Sequence, residues 1–497
     1  MMQRVRCLMV FSLSATINLS ATQILVAQEI SKGAQFSTEL ISNQTIQETA
    51  QTSESSLNPD PNPLQLPTKP DEIKLQGTQA ITLQEAIALA ERNNRDLQVA
   101  ELTLRRSQAA LRQARAALYP TLAGDTEIGY ERTAQGRLDD LKYLKEDASP
   151  SGLLGGRVEV SYDIFTSGKR PAQIRAAEAQ VRYEKLEVAR LRSQIRLDTT
   201  NAYYDVQQGD EQVRIAQATV KNAQKNLADA QALEEGGIGT KFDVSRARVQ
   251  LANAQQNLTD ADVQQTVARR QLAQLLSLAE RADVSAADPV QKAGEWTLSL
   301  EDSILLAYKN RVEFQQQLEQ RTIAQQQRKA AIAGVLPQVS LFGNYQFLNE
   351  FSESFGTLGG YAAGARLRWT FFDGGATFAA ADQQRAHQAI AETRFAQTRN
   401  QVRFQVEQAY KTLQSYVRSI ETATAALREA QDVADVAEFR FTQGVSTQLD
   451  VITARNDLIR AESNRLESIL RYNRALAALQ RAVSGLPTNP PTQSSNP

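Results

Sequence analysis

The chain has 497 residues, with 55 Lys and Arg against 56 Asp and Glu and a formal net charge of −1. That balance excludes the overall basic footprint of a nucleic-acid binder. One His, one Cys, and no phosphate-binding loop or nucleophile beside a base argue against an enzyme, a cofactor or a metal centre; His387 stands alone on a polar stretch.

Arg4 and Arg6 precede an apolar run from Cys7 to Phe11, and Ala27 closes a second apolar patch, so residues 1–27 read as a secretory signal peptide. Its removal takes Cys7 along, leaves a charge of −3, and with it no disulfide or thiolate chemistry. Val5 and Arg6 do not make a lipid-attachment box with Cys7. Residues 28–80, rich in Gln, Ser, Thr and Pro around Asn58-Pro59-Asp60-Pro61-Asn62-Pro63, read as a flexible leader. Past the signal no run of about 18 apolar residues occurs, so any membrane span must be β.

From residue 81 the chain repeats itself. Residues 83–97 match 300–314, and Pro120 matches Pro337, at an offset of 217. Further on the offset is 207: Tyr162 meets Trp369, Phe165 meets Phe372, and Asp243 meets Asp450. The copies run 81–285 and 286–486, with a break at 281–297 holding Pro289 and Gly294, and a disordered tail at 487–497. Solenoid units are about 50 residues or fewer, so each copy is a multi-element unit.

Each copy opens with a helix, 82–118 or 299–335, ended by Pro120 or Pro337. Two alternating segments follow. Leu122, Thr126, Ile128 and Tyr130 alternate with Asp125, Glu127 and Glu131; Val158, Val160, Tyr162 and Ile164 alternate with Arg157, Glu159, Ser161 and Asp163. In the second copy Val339, Leu341, Tyr345 and Phe347 oppose Gln338, Ser340, Asn344 and Gln346, and Leu367, Trp369 and Phe371 oppose Arg366, Arg368 and Thr370. Period-two alternation with aromatics near the ends predicts membrane barrel strands, apolar outside and wet inside. The connecting loops, 132–156 and 348–361, absorb the ten-residue length difference.

Long helices come next, rich in Gln, Ala, Arg and Leu, with long stretches that carry no Gly or Pro. Val206, Val213, Val220 and Leu227 recur every seven residues beside Ala216, Ala223 and Ala230; Leu413, Ile420, Leu427 and Ala434 repeat this. The step from Ile195 to Val206 is eleven, a stutter that unwinds a left-handed supercoil locally. Residues 169–233 make a helix of about 100 Å, against roughly 60 Å for 240–279 and about 37 Å for 94–118. The two shorter helices, stacked end to end, match the long one.

Four strands cannot close a barrel, and open edges in lipid leave backbone groups unsatisfied. The chain therefore self-associates. A dimer supplies eight strands and a filled interior; a trimer supplies twelve and suits the charged parity, so a homotrimer is expected. The fold class is mainly α with β: a coiled-coil helical barrel plus a membrane β-barrel, four strands per protomer and twelve in the trimer, built as a tandem repeat.

The duplication, the L-x-x-A opening at Leu83–Ala86, the Pro-to-strand junctions, the Phe372-Asp373-Gly374-Gly375 turn and the G-x-x-T-x-x-D hairpins together resemble the TolC-like outer membrane efflux family over 81–486. The resemblance implies the exit duct of a tripartite efflux or type I secretion system. It also implies an outer-membrane barrel, a helical tunnel through the periplasm, and docking onto a periplasmic adaptor and an inner-membrane pump of the RND or ABC type. Asp243 and Asp450 would form acidic rings at the periplasmic entrance; as Thr240-x-x-Asp243 and Thr447-x-x-Asp450 they are equally capping boxes. Where the family carries a tyrosine, an arginine and a second aspartate that hold the entrance shut, this chain has Phe441, Ser446 and Thr453, which predicts looser gating.

Gly237, Ile238 and Gly239, with Gly444, Val445 and Ser446, are candidate adaptor contacts at the hairpin tips. Asp125, Glu127, Glu159, Asp163, Arg366 and Arg368 would face the lumen, and Tyr130, Tyr162 and Trp369 would anchor aromatic girdles in outer-membrane lipid. A periplasmic coiled-coil adaptor is the alternative, but it would show one hairpin, split β-domains and an inner-membrane anchor. A purely structural coil leaves the alternating strands unexplained.

Overall fold

The computed structural model describes residues 57–59, 64, 66–75, 77–131, 151–351 and 356–484. The signal peptide, the leader before residue 57, most of the first strand-connecting loop and the tail lie outside the described residues. The described residues fall in one unit that begins at Leu57.

The first copy runs β1 (Thr78–Ile81), α1 (Leu83–Asn93), α2 (Arg95–Ala116), β2 (Thr121–Glu131), β3 (Ser151–Phe165), α3 (Lys169–Glu235) and α4 (Lys241–Leu275). After β4 (Asp283–Ala286) the second copy runs α5 (Leu300–Asn310), α6 (Val312–Ile332), β5 (Gln338–Glu350), β6 (Thr357–Arg368), α7 (Ala376–Thr442) and α8 (Gln448–Ser484). Among the described residues no helix is long and apolar enough to cross a membrane.

The long helices α3 and α7 have 67 residues each, about 100 Å. Their heptads are buried as the sequence predicts: Val206 and Val213 on α3, Val244, Ala247, Ala254 and Ala261 on α4, Leu413 and Ala434 on α7, Val451, Ala454 and Ala461 on α8. Alanine on facing stripes lets helix backbones approach closely. At Gly209 a side chain would meet the Gln265 backbone at 3.0 Å, so α3 and α4 cross there only because position 209 has none.

The opening helices are not single. Each breaks after eleven residues, at Asn94 or Arg311, without Gly or Pro. Asn94 ends α1 in a non-helical conformation and its side-chain oxygen accepts from the Asp96 and Leu97 amides, capping α2. Below these breaks the short helices stack as expected. The Asn94 amide donates to the Leu275 carbonyl at 3.0 Å, joining α2 to the end of α4, and Arg311 donates to the Ala482 carbonyl, joining α6 to the end of α8.

A feature the sequence did not reveal is a two-stranded parallel sheet, β1 with β4, which ties the start of the first copy to the break between copies. It caps a core of Ile81, Leu89, Leu97, Ile195, Tyr203, Val206, Leu272, Leu276 and Val284. Part of the expected leader belongs here too: Leu57 packs against this core, its carbonyl accepts from Asn93, and the Glu72 carbonyl accepts from Arg281. The described part of the leader thus meets the body at Leu57, Asn58 and Glu72, and β1 begins before residue 81.

The other sheet is an antiparallel meander, β2-β3-β5-β6, with the central β3–β5 pairing joining the copies. β2 has the expected bounds, but β3, β5 and β6 are longer than the alternation suggested and take 151–156, 348–350 and 357–361 from the expected loops 132–156 and 348–361. Ser151–Gly156 shows no alternation, yet all of it pairs with β2 and Leu153–Gly156 pairs with β5 as well. The sheet ends at Arg368, so Trp369 and Phe371 follow β6 rather than lie in it, their rings 4.7 Å apart. β2 and β6 each have one unpaired edge.

Candidate transport surfaces

The strand register sorts the sheet into two faces. Paired residues share a face, and alternation carries that face along each strand. One face carries Leu122, Ile128 and Tyr130, Val158, Val160 and Tyr162, Leu341 and Tyr345, Tyr361 and Leu367. All except Tyr162, which is half-buried, are exposed. A contiguous apolar surface of this size marks contact with lipid or another protein.

The opposite face carries all six expected lumen residues. Asp125 pairs with Arg157, which reaches Glu159 at 3.9 Å; Asp163, Ser340 and Arg366 form one row across three strands. Acids sit on β2 and β3, while Arg366 and Arg368 sit on the edge strand β6, with Arg366 over the Phe342 ring at 5.1 Å. The aromatic residues separate by height: Tyr130 at the sheet's far end, Tyr162 and Trp369 near the helices, with Arg170 over the Tyr162 ring. Tyr345, on the expected apolar parity, pairs halfway along with Tyr361, which the sequence reading placed in the loop 348–361.

At the other end of the long helices are two hairpin tips. Gly237 and Gly444 adopt positive φ, 73° and 74°. Gly239 approaches the Glu234 backbone so closely that a side chain would sit 2.9 Å from its nitrogen. Ser446 stands at the matching position of the second tip and donates to the Ala437 carbonyl. Ile238 is 82 % exposed and Val445 64 %. Phe242 and Leu449, exposed and equivalent at the 207 offset, enlarge this apolar crown; they fall outside the heptad stripes and were passed over for that reason.

Asp243 and Asp450 both close capping boxes. One Asp243 oxygen accepts from the Thr240 hydroxyl and amide, and one Asp450 oxygen accepts from the Thr447 amide and hydroxyl, both at 2.8 Å. These bonds hold both carboxyls below the usual carboxylate range. The capping role is therefore real and leaves the second oxygen of each group available to a ligand. Thr453 donates to Leu449 within its own helix, while the Gln448 amide donates to the Asn226 carbonyl, joining the second hairpin to α3 of the first copy.

An open sheet, apolar on one face and charged on the other, standing on paired helical hairpins, defines the class of envelope-spanning channel subunits. The family model described as outer membrane efflux protein matches residues 86–278 and 304–485, and the chain belongs to that family. It is 24 % identical over 419 residues to the toluene efflux pump outer membrane protein TtgC of Pseudomonas putida, covering 81 % of this chain and 83 % of that one. It is also 24 % identical over 425 residues to the pyoverdine export outer membrane protein OpmQ of Pseudomonas putida, covering 81 % and 86 %. The Campylobacter jejuni CmeC outer membrane channel superposes with a TM-score of 0.71 at 16 % identity over 86 % of this chain and 95 % of that one, a likeness of fold. The protein is an outer membrane efflux channel component, as the resemblance in its motifs implied.

Proposed function

We propose that three copies pair β6 of one with β2 of the next, closing twelve strands into an outer-membrane barrel with the apolar face toward lipid. The observation that carries this is the pair of open edges on a two-faced sheet: four strands are too few to close alone, and lipid leaves unpaired edges unsatisfied. The basic residues of β6 then adjoin the acids of the next copy's β2 along the wet face. The hairpins α3–α4 and α7–α8 line a periplasmic tunnel, and Asp450 supplies its entrance with an acidic ring that binds cations. Phe441, Ser446 and Thr453 offer no charge there, so the closed state is held more loosely. Ile238, Phe242, Val445 and Leu449 form the apolar contact for a periplasmic adaptor, through which an inner-membrane pump of the RND or ABC type delivers substrate. A free-standing adaptor does not account for the apolar sheet face.

Cysteine cross-linking tests the closure. A cysteine at Ala363 on β6 is combined in turn with one at Leu122, Gly124, Thr126 or Ile128 on β2, residues of the same face. Oxidation in membranes yields dimer- and trimer-sized bands for at least one register. Monomer alone across the whole scan contradicts the ring.

A further inference from the structure

The two helix seams occupy the same place in the two copies, since positions 94 and 311 correspond at offset 217 and positions 275 and 482 at offset 207. Both use the first residue's side chain to reach the second's carbonyl, but their charges differ. Where the first copy has neutral Asn94 and Gln274, the second has Arg311 and Arg481.

Both guanidiniums converge on one carboxylate. Arg311, only 7 % exposed, grips Glu313 with two bonds of 2.9 Å and also donates to the Ala482 carbonyl and to Gln405. Arg481, 11 % exposed, donates to the same Glu313 through a single nitrogen at 2.9 Å. Its Nε and Nη1 are buried and have no partner. The neighbouring Glu187 and Arg190 pair with each other and add no net charge. Burial opposes ionisation of Glu313, yet the two arginines outweigh it and hold the carboxyl below its usual range. Two arginines share one carboxylate, and Arg481 is left with two idle donor nitrogens beside a cavity of about 380 Å³ lined by Arg311, Arg481, Gln194, Gln408 and Thr412. The nearby acid Asp198 is engaged by Gln194. Unsatisfied charged donors in a buried site are costly, and a bound anion relieves that cost with charge-assisted hydrogen bonds.

We propose that this cavity, at the junction of α6 and α8 against α3 and α7, binds a small oxyanion of the sulfate or phosphate class through Arg481. The anion would lock the second seam where the uncharged Asn94 amide joins the first.

Thermal unfolding of the full-length protein in detergent tests this, comparing sodium sulfate or sodium phosphate with sodium chloride at equal ionic strength. Both oxyanions stabilise proteins generally, so the informative quantity is the difference between wild type and Arg481→Gln, the residue of the first seam. The oxyanion increment is larger in wild type by about 2 °C. Gln408→Glu keeps both arginines, supplies a carboxylate from within, raises the melting temperature in chloride and removes the extra increment. It decides the matter if Arg481→Gln does not fold. Equal increments in wild type and Arg481→Gln, or a Gln408→Glu protein that melts lower and keeps its increment, overturn the proposal.

Discussion

Asp450 makes a helix cap and, in the proposed channel, also supplies the acidic ring. Its bonds to Thr447 depress its pKa, so its contribution to the helix cap is full above the ordinary carboxylate value of about 4 and is lost as pH falls through the lower folded value. The cap bonds therefore favour the charged carboxylate against the mutual repulsion of three ring carboxylates, and block of the channel by millimolar divalent cations on the hairpin side persists from pH 7 to pH 5. In Asp450→Ala the block disappears. Block that survives this substitution, or fades by pH 6 in wild type, would remove Asp450 from the ring. The Thr-x-x-Asp spacing made the cap legible in sequence, because the cap is local. Phe242 and Leu449 were not legible, since exposure depends on where the neighbouring helix ends.

At the scale of elements, the eleven-residue step in the α3 heptad was readable, but its cause was not. Between Ile195 and Val206 the helix buries Thr199, Thr200, Tyr203 and Tyr204 as well, because α1, β1 and β4 surround it there. A heptad serves one partner stripe; a helix enclosed on several sides needs a broader face. Tyr203 is fully buried, with its hydroxyl 3.0 Å from the Ile81 carbonyl and 2.9 Å from the Asp288 carboxylate, while accepting from the Asp288 amide. Burial pushes its phenol well above the usual value, so it acts only as a neutral hydrogen-bonding group. Tyr203→Phe strands buried partners on two segments and costs about 1–3 kcal/mol of stability. Tyr410→Phe, at the matching and half-buried position of the second copy, costs less in the same unfolding experiment. Equal losses would show that the sheet β1–β4 adds nothing to the first copy's collar. A helix start at 94 enters the length comparison, and Asn94 followed two residues on by Asp96 is its cue, but the break at Arg311 uses neither Gly nor Pro and has no such cue in sequence.

At the scale of the molecule, the tandem repeat, the strand parity and the column lengths were all written in the sequence, because each rests on periodicity. The parallel sheet, the docked leader and the arginine-lined seam were not, because each joins residues far apart in the chain. The same logic explains why one copy of the chain reads as incomplete: its sheet has two faces but also two edges. The central claim is that copies of this chain close into a water-filled conduit through lipid. Single-channel recording of the purified protein in a planar bilayer tests it most directly. Discrete current steps with cation selectivity, matching the excess of acids over bases on the wet strand face, are predicted. Failure to insert, or insertion without current, would contradict the conduit and leave the two-faced sheet as a surface for some other partner.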